Sequence, residues 1–73
     1  MILQIITPKG KEYEGEVRRV QFTSTTGLME ILDGHAPMIA AVCEGSIVTD
    51  VQSIVCGKGV LRVENNIVTA VCE

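Results

Sequence analysis

Aromatic side chains are nearly missing from this sequence. Among its 73 residues only Tyr13 and Phe22 belong to the Phe, Tyr and Trp set, and there is no tryptophan. Proteins that grip single-stranded nucleic acid stack bases on such rings, so that class is set aside. The charge agrees: six Lys and Arg against nine Asp and Glu leave a net charge of −3, where a nucleic-acid binder presents a basic face. Long hydrophobic runs are missing too. The longest, Ala36 to Cys43, contains Pro37 and falls well short of the roughly 20 residues that cross a bilayer as a helix. Met1-Ile2-Leu3-Gln4 carries no charged leader with a cleavage site, and the expectation is a cytosolic chain that can still work beside a membrane inside a larger assembly. Paired cysteine motifs are absent. Cys43, Cys56 and Cys72 are odd in number and widely spaced, which predicts no disulfides, a reducing compartment, and thiols packed as small hydrophobes.

What remains is a short chain rich in β-branched residues. Hydrophobic residues make up 47% of it, more than a domain of this size needs for its own core, so part of that surface is expected to face a partner. Length alone argues for one domain, residues 1–73, with a stability of about 4–11 kcal/mol at the usual yield per residue.

Strand signals run from end to end. Ile2-Leu3-Gln4-Ile5-Ile6-Thr7 stops at the turn Pro8-Lys9-Gly10. Lys11 to Glu14 alternates weakly, as an edge strand does, and Glu12, Glu14 and Glu16 share one face as a solvated fringe. Glu16 to Thr23 reads as one strand whose apolar positions change parity between Val17 and Val20, which predicts a bulge near Arg18-Arg19. Leu28 to Leu32 follows the polar turn Ser24-Thr25-Thr26-Gly27. Met38 to Cys43 lacks alternation, so it is a strand covered on both faces or a short buried helix. Ser46–Thr49 and Ser53–Cys56 form a hairpin, Gly57-Lys58-Gly59 a turn, and Val60–Glu64 and Ile67–Cys72 a hairpin closed by Asn65-Asn66. The fold class is all-β: a small antiparallel β-sandwich or flattened barrel of about 8–10 short strands.

Between two apolar runs stands Gly34-His35-Ala36-Pro37, a loop specified too closely for a random connector. His35 has no ligand set around it, since zinc wants four donors and Cys43 lies beyond Pro37; no metal, cofactor or catalytic residue is expected. The bland reading is a loop histidine capping backbone groups, and the sharper one is contact with a partner. Met29 and Met38 are read as core fillers and Arg18-Arg19 as a surface pair.

These pieces stand in a recognisable order. Ile6-Thr7-Pro8, Gly15-Glu16-Val17, Ile31-Leu32-Asp33-Gly34-His35-Ala36-Pro37, Gly57-Lys58-Gly59, Leu61-Arg62-Val63, Asn65-Asn66 and Ile67-Val68-Thr69 resemble, collinearly, the N-terminal domain of the epsilon subunit of F-type ATP synthases, called delta in mitochondria. The resemblance implies a β-sandwich that docks on the gamma subunit and the c-ring at the foot of the central stalk. It implies a subunit that couples proton flow to ATP synthesis without chemistry of its own, peripheral to the cytoplasmic face of the bacterial inner membrane. Partner contact is implied at Gly34, His35, Ala36 and Pro37, with Leu28 and Glu30 on the preceding strand.

Three departures qualify the carry-over. A glutamate that the family often places directly after the strand's first glycine is replaced by Leu28, and the nearest carboxylate is Glu30. Lys58 stands in the family's glycine pair, where a left-handed backbone would cost free energy. The family continues into a C-terminal helical hairpin that regulates ATP hydrolysis, whereas these residues finish with the sandwich, so the expectation is that domain without the arm. A second reading, a biotinyl- or lipoyl-like carrier domain, rests on Lys58 at a hairpin tip, although the usual neighbours of a modified lysine are missing.

Overall fold

The computed structural model describes residues 1–73 as nine strands and no helix. They are β1 (Ile2–Thr7), β2 (Gly10–Glu16), β3 (Arg19–Ser24), β4 (Gly27–Leu32), β5 (Met38–Val42), β6 (Gly45–Thr49), β7 (Ser53–Cys56), β8 (Gly59–Glu64) and β9 (Ile67–Cys72). Hydrogen bonding follows one path, β2-β1-β9-β8-β5-β3-β6-β7, with β4 attached to β3. Between β5 and β3 only Ser24 and Val42 pair, and there the path folds over. The half β2-β1-β9-β8-β5 thus closes on the half β4-β3-β6-β7, which is the all-β sandwich expected.

Period-two alternation builds the core. β3 turns Val20, Phe22 and Ser24 inward and β9 turns Val68, Ala70 and Cys72 inward. Leu3 and Ile5 of β1, Ile31 of β4, Ile47 of β6 and Leu61 and Val63 of β8 complete the interior. Met29 and Met38 pack half-buried against it, as core fillers should. Asn65 and Asn66 have φ of 51° and 62°, the left-handed pair that a two-residue type I′ hairpin requires.

Four expectations are corrected. No bulge lies at Arg18-Arg19. The strand breaks instead: β2 ends at Glu16, buried Val17 bonds to Met1, and the Arg18 N–H donates to the Asp50 carboxylate at 2.8 Å before β3 begins. A two-residue corner absorbs the parity change, and a register shift sits elsewhere, between Ile5 and Ile6 against β2. β5 is neither helix nor doubly covered; Ile39 and Ala41 face out while Met38 and Ala40 face in. Its small alanines erased the polar-apolar contrast that would have revealed an open face. Not every pair is antiparallel, since β1 runs parallel to β9.

Lys58 does not adopt the left-handed backbone. Gly57 and Gly59 answer a steric need instead. A side chain at Gly57 would meet the Glu73 carbonyl oxygen at 2.7 Å, and one at Gly59 would overlap the Val71 carbonyl oxygen.

The prediction of no disulfides is overturned. Cys56, ending β7, is bonded to Cys72, ending β9, with Cα atoms 5.7 Å apart, and Cys43 alone keeps its thiol. The two bonded residues belong to different halves of the sandwich, and a sequence separation of 16 gives no hint of their meeting. With the pairing, the argument from unpaired thiols to a reducing compartment falls. Closing a loop of that length removes unfolded-chain entropy worth about 3 kcal/mol.

Candidate functional site: a braced surface corner

The Gly34–Pro37 loop joins β4 to β5 at one end of the sandwich, and all four residues are exposed. Gly34 sits at φ 79°, a conformation that tolerates glycine best. The His35 N–H donates to the Leu32 carbonyl at 3.1 Å, which tightens the turn. His35 Nδ1 lies 2.7 Å from the Ala36 carbonyl oxygen. A carbonyl only accepts, so Nδ1–H is the donor in this contact.

The loop is braced from beneath by residues whose bracing role sequence reading did not reveal. The Asn66 side chain works in both directions: its Oδ1 accepts from the Gly34 N–H at 2.9 Å and its Nδ2 donates to Asp33 Oδ1 at 2.9 Å. Asp33 Oδ1 also receives the Met1 ammonium at 2.9 Å, and that ammonium donates to the Val17 carbonyl at 3.2 Å. The ammonium hydrogen bond, then the Asn66 amide, hold the Asp33 carboxyl below its usual range. Asn66 announced itself only as a turn residue; its reach back to residue 34 depends on the closure of β9 beside β1 and is not a local signal.

A depressed carboxylate pKa means stability that is present above the unfolded-state value and lost as pH falls through the folded one. The brace is therefore expected to hold through the range in which an ordinary aspartate takes up its proton and to fail only in stronger acid. Asp33→Asn should give at neutral pH what acid gives the native chain. NMR shifts of the Gly34 amide and the Asn66 side-chain amide, followed from pH 7 downward, check this.

Leu28 and Glu30 lie on the outward face of β4 with Leu32, while Met29 and Ile31 point inward. Leu28 is 70% exposed and Leu32 53%. The three side chains form a row about 13 Å long at strand spacing, leading into the loop. All six sequence-predicted contact residues thus share one connected surface. Leu32 extends it, and the alternation of β4 could have named it. Glu30 makes no salt bridge. Hollows of about 340 and 360 Å³ flank β5, the second bordered by Pro37, Met38, Ile39 and Arg62. No group of three or more His, Cys, Asp or Glu is placed to hold a metal ion.

Lys58 is exposed but not at a hairpin tip. It lies on the crossover from β7 to β8, which pair with β6 and with β5 and β9, and its carbonyl accepts the Glu73 N–H at 2.8 Å. The carrier-domain reading loses its geometric basis.

A two-layer β-sandwich whose first strand runs parallel to its last, with one braced corner at its surface, defines the class of fold. Comparison narrows it to a family. Residues 1–73 match the model for the ATP synthase delta/epsilon chain beta-sandwich domain, and the chain belongs to that family. It is 37% identical over 68 residues to the ATP synthase epsilon chain of Gloeothece citriformis, covering 88% of this chain and 49% of that protein. Against the epsilon chain of Endomicrobium trichonymphae it is 28% identical over 75 residues, covering 97% and 54%. The chain spans about half the length of these curated relatives. Its fold matches a chain of the Tetrahymena thermophila mitochondrial ATP synthase central stalk and c-ring structure with a TM-score of 0.84 at 12% identity, covering 99% of this chain and 62% of that one.

Proposed function

We propose that this chain is a non-catalytic rotor subunit of a proton-translocating F-type ATP synthase. It docks on the gamma subunit and the c-ring and couples proton flow to ATP synthesis. The observation that carries this reading is the family match across all 73 residues. On it, the corner Gly34-His35-Ala36-Pro37, with Leu28 and Glu30, is a partner contact. The brace favours this use: a loop already fixed by Asn66 and Asp33 loses little conformational entropy when a partner binds. The chain would sit at the cytoplasmic face of a bacterial inner membrane, held there through the complex.

Co-purification with gamma, followed by native mass spectrometry, tests the assignment. A stable complex is expected; failure to bind where a longer epsilon chain binds overturns it. His35→Ala should leave the isolated chain folded with unchanged circular dichroism. In a reconstituted synthase it should weaken c-ring association about tenfold, or about 1.4 kcal/mol, and reduce proton-driven synthesis. Unfolding of His35→Ala would make the residue structural and the contact assignment wrong.

A further inference from the structure

The β6–β7 hairpin joins the rest of the sandwich through few backbone pairs. β7 has four residues and pairs with β6 alone. β6 reaches β3 through two residue pairs, Val20 with Thr49 and Gln21 with Val48. Beyond these, the hairpin is held by the buried side chains of Ile47, Thr49 and Cys56, by Ile54 packed half-buried against the core, and by the Asp50 carboxylate on the Arg18 N–H. Its outer surface exposes Val51 at 61% and Val55 at 84%. The chain just past it is fastened closely, with Gly57 against the Glu73 backbone and the Lys58 carbonyl bonded to the Glu73 N–H. The Cys56–Cys72 bond lies at the boundary between the loosely held hairpin and the closely held end of β9.

We propose that this pair is a redox latch on the β6–β7 hairpin. Oxidised, it holds the free edge strand β7 against the end of β9. Reduced, it releases the hairpin while the ladder β1-β9-β8-β5 stays paired. The reductant is a dithiol. One of its thiolates attacks a cystine sulfur to form a mixed disulfide and release the other cysteine thiolate; its second thiolate then displaces the remaining cysteine. Two electrons and two protons reach Cys56 and Cys72, and the dithiol leaves as its own disulfide. Both cysteines are buried, at 2% and 4% exposure, so attack follows opening of the hairpin. The closed latch therefore persists among small thiols, because access limits exchange. Such a device lets a family fold keep one layer adjustable without touching the corner.

The test uses the whole chain, oxidised and reduced. Alkylation of the native oxidised protein should modify Cys43 alone, and unfolding with dithiothreitol should open all three thiols. Amide exchange at Ser53–Cys56 should quicken at least about tenfold on reduction, while Val60–Val63 and Val68–Ala70 change less than about threefold. Cys56→Ala combined with Cys72→Ala should reproduce the reduced pattern; if that variant does not fold, the reduced native chain supplies the measurement. Three reactive thiols before reduction, equal quickening in every strand, or no quickening at β7 would each overturn the latch.

Discussion

Gly59→Ala is expected to destabilise the chain by about 3 kcal/mol or more, the upper end for forcing atoms into a filled space. The position opposes Cys72 in the β8–β9 ladder and Val42 in the β5–β8 ladder, so a strand is bonded on either side. A methyl group there overlaps the Val71 carbonyl oxygen, which is backbone and cannot rotate away. Against a total of about 4–11 kcal/mol, that loss removes much of the stability margin. Urea denaturation of a glycine series checks the mechanism. Gly57→Ala should cost less, because the Glu73 carbonyl oxygen stands 2.7 Å from the added carbon and does not overlap it outright. Gly34→Ala should cost about 1 kcal/mol, since its surroundings are open and only the left-handed backbone resists. Equal costs at all three would show that backbone freedom, not close approach, governs these glycines.

Phe22→Ala is the second large effect, at about 3–5 kcal/mol. Phe22 is 1% exposed and is the largest fully buried side chain, on a strand bonded to β4, β5 and β6. Its removal leaves a cavity where the halves meet, and thermal unfolding of the variant should shift down by more than about 10 °C. Phe22→Leu should recover most of the loss, because it restores apolar volume without polar cost. A small shift for Phe22→Ala would mean that the two layers collapse to refill the space.

Most of the strands were legible because their signals are local. β1, β6 and the β8–β9 hairpin alternate or end at turn residues whose chemistry dictates the bend, Asn65-Asn66 above all. What was not legible depends on residues far apart in the chain. The parallel β1–β9 pairing, the Cys56–Cys72 bond and the Asn66 brace each join segments that only the finished fold brings together. The sequence reading starts the third strand at Glu16, where β3 starts at Arg19, because a two-residue corner at Val17-Arg18 and a bulge leave the same parity signature. At the corner, the motif revealed which residues lie at the surface, and the β4 alternation showed that Leu28 and Glu30 join them. The residues that hold the loop still carry no pattern of their own.

Pairing of the first strand with the last sets a schedule for biosynthesis. Ile2 aligns with Ile67, so the inner edge of β1 has no partner until the ribosome has delivered the final strand. At ordinary elongation rates that is a wait of roughly 3–13 seconds. During it Leu3 and Ile5, destined for the interior, lie within reach of chaperones and of neighbouring nascent chains. Translation that stalls before β9 should therefore yield an aggregation-prone intermediate, not a smaller stable protein.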